Sequence, residues 1–247
     1  MTERPMFNPG APVVYQAPVD TSPGPLTAWS FSTLKNFESC AHRAYLKGVK
    51  RLKEPGSPAM DRGSMVHDEA EAFVKGEIPF PVNLKKMEAD FEQLKEMYDP
   101  TVMLLEKNWG FTQQWKDTGW MSDDVWHRSK LDNMYFESQT SAVIIDYKTG
   151  KKFGNELKHG EQLMLYAVVA FVKFPRLQFI KVENWYTDHN EKLTKTYTRE
   201  TAMLFFPRWA ERGLTMTTAK EFPPSPSKPN CKWCPFAKTG DCVYAVE

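Results

Sequence analysis

Apolar side chains near the start of the chain recur at helical spacing. Leu34, Phe37, Ala41, Ala44 and Tyr45 share one face of a helix that Ser32 can cap and that runs to about Lys47. A second helix is predicted from about Arg62 to Lys75, with Asp61 as cap, Val66, Ala70 and Phe73 on one face, and Gly76 as terminator. Residues 84 to 107 read as more helix, interrupted near Pro100. After Gly110 the pattern changes. Phe111 to Trp115, Val125 to Tyr135 and Ala142 to Lys148 are rich in β-branched and aromatic residues between polar turns, and read as consecutive strands. Leu157 to Phe174 returns to helix and is apolar on nearly every side, which calls for packing between a sheet and something else. Gln178 to Tyr186 and Lys192 to Arg199 read as a hairpin turning at Asp188, His189 and Asn190, followed by a last helix to about Leu214. This order predicts an α/β or α+β domain with a mixed central sheet.

The ends have a different texture. Six prolines precede Leu26, so residues 1 to 26 are expected to be a flexible tail and residues 27 to 247 the folded domain. The longest apolar run, Leu163 to Val172, is far shorter than the ~18 to 20 residues needed to cross a bilayer. Neither a membrane anchor nor a secretory signal is read, and a cytoplasmic protein is expected.

Lysine and arginine total 32 against 31 acids. Attraction for nucleic acid must therefore come from where charges sit, not from their sum. Between Lys35 and Lys53 the bases Lys35, Arg43, Lys47, Lys50, Arg51 and Lys53 face a single acid, Glu38. That stretch is a candidate phosphate-binding surface, and equally a solvated helix end.

Two patterns carry candidate chemistry. In the segment from Val143 to Gly150, alternation places Asp146 and Lys148 on one face of a strand and Tyr147 on the other. Asp132 lies on the preceding strand, where a hairpin can bring it beside Asp146. Two close carboxylates need a cation, and magnesium or manganese with a nearby lysine is equipment for phosphodiester hydrolysis. The second pattern is the cysteines: Cys231 and Cys234 are two residues apart, Cys242 follows, and Cys40 is far upstream. In a reducing compartment this is a metal-site layout, not a disulfide framework.

From Ser30 onward these residues resemble the PD-(D/E)XK nuclease superfamily, and within it the RecB-like branch. Ser32, Leu34, Phe37 and Cys40 are similar to the branch's N-terminal helix, and Arg62 and Gly63 with His67 to its glycine-to-histidine motif. Asp132 matches the first acidic position, Asp146, Tyr147 and Lys148 the (D/E)-x-K motif, and Gln162 with Tyr166 the glutamine-to-tyrosine motif. Ser129 and Ala41 depart from the pattern, standing where glycine and proline are usual.

The resemblance implies a restriction-endonuclease-like fold, a mixed sheet flanked by helices. It implies that His67, Asp132, Asp146 and the Tyr147 carbonyl hold magnesium or manganese, and that Lys148 orients or activates the attacking water. Gln162 and Tyr166 would contact DNA or hold Lys148, although Tyr166 is also a plausible core residue. The cysteines resemble the iron-sulfur subset of the branch, as in its CRISPR-associated and AddB-type members. Cys40, Cys231, Cys234 and Cys242 would then bind a 4Fe-4S cluster, with residues 218 to 247 clasping the N-terminal helix; zinc is the alternative. Arg43, Lys47, Lys50, Arg51, Lys53 and Trp233 are the expected DNA contacts, with Trp233 stacking on bases or shielding the cluster. The expected protein is a metal-dependent exonuclease on single strands or free DNA ends, in recombination, repair, phage replication or CRISPR adaptation. Partner proteins from recombination or replication would fit such a role. The rivals are a non-catalytic DNA-binding or assembly module and a zinc-binding structural protein.

Overall fold

The computed structural model describes residues 22–246. Most of the expected tail lies outside them. Within its last residues, Gly24 donates from its N–H to the Thr217 carbonyl at 2.7 Å and Leu26 is buried, so ordered packing begins before Thr27.

Helix α1 (Phe31–Ser39) is capped by Ser30, not by Ser32: the Ser30 side chain accepts from the Thr33 N–H and Thr33 returns the bond. The helix then breaks at Cys40, whose backbone is extended, and resumes as α2 (Ala41–Ala44) and a wider turn over Tyr45–Val49. Helix α3 (Pro58–Val74) begins a turn earlier than Asp61, because Ser57 caps it and Pro58 suits the first helical position. It ends as expected before Gly76, at φ 76°. Helix α4 (Glu88–Glu96) follows a tight turn over Val82–Met87.

The expectation of helix to residue 107 fails at Pro100. Beyond it, Met103–Phe111 is strand β1 and not helix, and the short β2 is Asp117–Thr118. Strands β3 (His127–Phe136) and β4 (Ser141–Lys148), helix α5 (Glu156–Lys173), and strands β5 (Phe179–Tyr186) and β6 (Glu191–Thr198) fall close to the expected ranges. The last helix is split into α6 (Arg199–Met203) and α7 (Phe206–Thr218), with Pro207 opening the second part. Two short helices, α8 (Lys228–Lys232) and α9 (Pro235–Lys238), carry the C-terminal cysteine segment.

The six strands form one sheet in the order β2-β1-β3-β4-β5-β6. β4 and β5 pair in parallel across the α5 crossover, and the other pairs are antiparallel. Alternation along β4 divides the core. Ala142 and Ile144 join the cluster that α1, α5 and α7 build on one face, while Val143, Ile145 and Tyr147 join α3 and α4 on the other. Both faces being covered explains why β4 reads as a continuous apolar run. Among the described residues, no helix is long and apolar enough to cross a membrane.

His127, fully buried at the start of β3, packs 4.1 Å from the Trp29 ring. Its Nε2 shares a 2.8 Å hydrogen bond with Ser129 Oγ, and its Nδ1 has no partner. Burial pushes it down from 6.5 to about 3, so it is neutral in the fold. Below its unfolded value, near 6.5, the unfolded chain binds one more proton than the folded one, and stability falls with falling pH at about 1.4 kcal/mol per unit. From pH 6.5 to 5 the wild type is expected to lose about 2 kcal/mol more stability than His127→Phe. Urea unfolding at the two pH values measures the difference, and equal losses would exclude this origin.

Candidate active site

The geometry of β1 and β3 makes the site. Met103 and Leu105 face the α3–α4 core, yet Trp109 and Phe111, also odd-numbered, face the opposite core. A strand that alternates strictly cannot do this, so its phase must change between them. It changes at Glu106, a non-glycine residue at φ 46° in the left-handed region. On β3 the same change separates Leu131, in the α1–α5–α7 core, from Tyr135, which packs with α3 and α4. Glu106 and Asp132 thus stand opposite each other where the paired strands turn over, within a β1–β3 register that continues on both sides.

Helix α3 adds His67 to this point. Its Nδ1 lies 3.2 Å from Asp132 Oδ1 and 3.5 Å from Glu106 Oε1. His67 Nε2 is 3.1 Å from the Tyr147 carbonyl, and since a carbonyl only accepts, Nε2 is the donor. The ring is thereby held with Nδ1 toward the carboxylates. Tyr147 also fixes Asp132, its N–H donating to Oδ2 at 2.7 Å.

Asp146 and Lys148 leave β4 on the other side of Tyr147. Asp146 Oδ2 takes the Lys148 ammonium at 2.5 Å and the amide of Asn184, from the neighbouring β5, at 2.7 Å. Lys148 also donates to Gln162 Oε1 at 3.0 Å; Gln162 Nε2 donates to the Tyr166 hydroxyl at 2.8 Å, and Tyr166 to the Lys130 carbonyl at 2.9 Å. This chain of donors orients Lys148 from α5. It joins the open options for Gln162 and Tyr166: Tyr166 is buried like a core residue, but its hydroxyl supports the lysine through Gln162.

The charges are unbalanced around one spot. Burial alone would lower His67, but hydrogen bonds to Asp132 and Glu106 and the Asp146 charge outweigh it and push it up to about 10. Burial, and then the Asp146 charge, raise Asp132 above the usual carboxylate value. Burial would raise Glu106 as well, yet His67 and Lys130 hold it below the ordinary range. A metal ion fits this donor set. His67, Glu106 and Asp132 offer ligand atoms within 4.8 Å of one another. Each carboxylate has one oxygen engaged elsewhere: Asp132 by Tyr147, Asp146 by Lys148 and Asn184, and Glu106 by Lys130 at 2.6 Å. Among the described residues, buried Glu106 Oε1 meets no closer donor than His67 Nδ1, at a long 3.5 Å. Such an atom needs a cation or a donor.

His67, Asp132, Asp146, Lys148, Gln162 and Tyr166 all line one polar cleft of about 530 Å³. None of Arg43, Lys47, Lys50, Arg51, Lys53 and Trp233 lines it. Arg43 and Lys47 pair with Glu54, the residue just past the basic run, and Arg51 and Lys47 border a separate hollow. Local desolvation, then the charges of Lys148, Arg43 and Lys35, lower the exposed Lys158, so positive charge does gather beside the lysine end of the cleft. Trp233 is 70% exposed, with Lys232 and Lys238 within 5.3 and 5.5 Å of its ring centre.

Cys40, Cys231, Cys234 and Cys242 line a second cavity, together with Arg43 and Leu46. Ser225 donates its N–H to Cys40 Sγ at 3.5 Å, Asn230 donates to the Ser39 carbonyl at 3.0 Å, and Phe222 stacks on Tyr45. These contacts tie the C-terminal segment to the α1–α2 break. No three of the sulfurs come within 4.8 Å of one another.

The sequence pattern of the PD-(D/E)XK nuclease superfamily matches residues 28–131 and 128–239, most of the chain and all of the cleft's acidic and basic groups. The chain belongs to the PD-(D/E)XK nuclease superfamily. For this nuclease, no curated protein matches in sequence. Among solved structures, the crystal structure of SSO0001 is similar at 15% identity, covering 90% of this chain and 88% of that one, with a TM-score of 0.48.

Glu106 and Asn184 escaped sequence reasoning. Glu106 sits in a stretch that reads as helix, and its role depends on one left-handed residue. Asn184 acts only because the parallel register sets it beside Asp146. The signal available for Glu106 was an acid directly after the apolar run Val102 to Leu105, which itself follows a proline, the mark of a strand with one special position.

Proposed function

We propose that the protein is a divalent-metal-dependent deoxyribonuclease of the RecB-like branch that digests single-stranded DNA from free ends. The observation that carries the metal reading is the meeting of His67, Glu106 and Asp132 at a cleft that His67 and Asp132 line together with Asp146 and Lys148. His67 Nδ1 and the free carboxylate oxygens of Asp132, Asp146 and Glu106 would hold the ion. Their mixture of imidazole and carboxylate suits manganese at least as well as magnesium. When bound, such an ion polarises a phosphate oxygen and acidifies a water. The chain's own residues do the rest. The Tyr147 carbonyl, expected from the sequence as a ligand, accepts from His67 Nε2 instead, so Tyr147 orients two ligands through its N–H and carbonyl. Lys148, braced by Gln162, places its ammonium where charge builds on the phosphate and where the attacking water must be aligned. A binding module that does not cut would have no use for this braced lysine.

The four cysteines are proposed to hold a 4Fe-4S cluster. Sulfurs around one zinc ion stand about 3.8 Å apart, from Zn–S bonds of about 2.3 Å in a tetrahedron. A 4Fe-4S cluster, whose irons each take one thiolate, accepts four sulfurs set farther apart than that. Its place is structural, clasping residues 218 to 246 to the α1–α2 break, and reduced thiols agree with a cytoplasmic setting. Processing of DNA ends in recombination, repair, phage replication or CRISPR adaptation is the corresponding role, with DNA-handling proteins as partners.

Incubation of linear and circular forms of one single-stranded DNA with manganese, magnesium or chelator tests the activity. Linear DNA is expected to be degraded with either metal, faster with manganese, and circles to remain. Equal initial rates on both forms would make the protein an endonuclease, and no cleavage with either metal would leave a DNA-binding module.

A further inference from the structure

One wall of the cleft is the turn between β2 and β3, and it is braced from several directions. Gly110 on β1 lies so close to it that a Cβ would stand 2.8 Å from the carbonyl oxygens of both Thr118 and Gly119. Within the turn, the Thr118 hydroxyl donates to Asp124 at 2.7 Å, and the Ser122 N–H donates to the Gly119 carbonyl at 3.1 Å. Arg128 Nε donates to the Trp120 carbonyl at 2.9 Å. A turn held this way presents its side chains in a fixed place without any ligand.

What it presents is Trp120, half-buried and lining the cleft beside Arg128. Among the described residues, Trp29, Trp115, Trp126 and Trp209 all contact other aromatic rings, whereas Trp120 contacts none. Its one ring partner is the Arg128 guanidinium, 5.8 Å from the ring centre. Lys130 and Lys148, the other cations of this wall and floor, are engaged by Glu106 and Asp146. Among the described residues Arg128 has no carboxylate partner, so its terminal nitrogens are available to an anion.

We propose that Trp120 and Arg128 form a step for one unpaired nucleotide beside the metal group, with Trp120 stacking on its base and Arg128 holding its backbone phosphate. The proposal rests on the nuclease reading and names what the cleft selects. A base exposes its face to an indole only when it is free of a duplex stack, so the step favours a single strand. The neighbouring guanidinium adds a charge-assisted contact in a fixed geometry that a lysine would not reproduce.

The full chain, purified with its cysteine-bound metal, is titrated with a fluorescent single-stranded oligonucleotide and with a duplex of equal length. Calcium replaces manganese to hold cleavage off. Trp120→Ala is expected to weaken single-strand binding roughly 5- to 100-fold, the worth of one base stack, and to leave duplex binding unchanged. Trp120→Phe should retain most of the affinity, and Arg128→Gln should weaken binding and lower its salt dependence. An abasic nucleotide is then moved along the oligonucleotide. At one position it should weaken the wild type as much as Trp120→Ala does, and weaken Trp120→Ala no further. Equal single-strand affinity for wild type and Trp120→Ala, or an abasic penalty equal in both at every position, overturns the step. The abasic series on wild type alone decides the matter if Trp120→Ala does not fold, since absence of any sensitive position excludes stacking. Cleavage by the wild type in manganese separates the readings. A wild type that cuts but shows no abasic-sensitive position loses only the step, and one that neither cuts nor binds DNA loses the nuclease reading.

Discussion

Lys148→Ala should abolish DNA cleavage while keeping manganese bound, and Asp146→Ala should lose both. The ammonium of Lys148 is held between Asp146 Oδ2 at 2.5 Å and Gln162 Oε1 at 3.0 Å, and it coordinates nothing. Its loss removes charge stabilisation aimed at the reacting phosphate, a contribution of about 2.7 to 4 kcal/mol, or ~100-fold or more in rate. Asp146 is proposed to bind the ion with its other oxygen, so its removal is expected to weaken the ion as well. Both groups are 3 to 20% exposed, so folding must be checked by thermal unfolding alongside. Titration calorimetry with manganese reads the metal separately from the chemistry. Gln162→Leu makes a graded control, because it leaves Lys148 in place but frees it from α5. A hydrogen bond to a charged group is worth about 1.5 to 3 kcal/mol, so a rate loss of roughly 10- to 100-fold is expected with manganese affinity intact. Cleavage at the wild-type rate in Lys148→Ala or Asp146→Ala would remove both residues from the mechanism.

These residues were legible because their chemistry and their local geometry coincide. Asp146 and Lys148 need only the two-residue alternation of a strand to share a face, and Gln162 and Tyr166 need only one helical turn. Both conditions can be counted along the chain. What was hidden depends on long-range register or on single backbone angles. Asn184 reaches Asp146 because parallel pairing sets β5 beside β4, which no local pattern encodes. Glu106 depends on a φ of 46° that turns β1 over, and the propensities of Met103 to Lys107 favour helix as readily as strand. Tertiary context decided that segment: its apolar residues had a sheet edge at β3 to join.

The basic stretch shows the complementary error. Counting charges from Lys35 to Lys53 stopped one residue before Glu54, which sits against both Arg43 and Lys47. Net charge in a window says where bases are dense, not which remain unpaired after folding. In the cleft the charge left over is Arg128, isolated in sequence from any basic run.

Protein purified without oxygen should be brown and contain iron and acid-labile sulfide in equal amounts, and Cys234→Ser should lose both together with much of its stability. Cys234 is the buried member of the four and belongs to the small core that Leu46 and Phe236 form, so it packs there as well as being a proposed ligand. Cys40 and Cys231 line one cavity although most of the domain separates them in sequence. A cross-link over so long a loop restricts the unfolded chain by roughly 5 kcal/mol, on the loop-closure scale that applies to disulfides. The direct contacts of Ser225, Asn230 and Phe222 with the α1–α2 region are mainly neutral hydrogen bonds and ring packing, partly exposed, and too few to replace it. Loss of the cluster should therefore release residues 218 to 246 first, seen as rapid proteolysis near α8 and amide exchange confined to that segment. The sheet, with Asp132, Asp146 and Lys148 on it, has its own core and should persist at low temperature, so manganese binding outlasts the brown colour. Stoichiometric zinc without sulfide in material never exposed to air would make the clasp a zinc site, and Cys234→Ser with unchanged proteolysis and stability would mean that the cysteines clasp nothing.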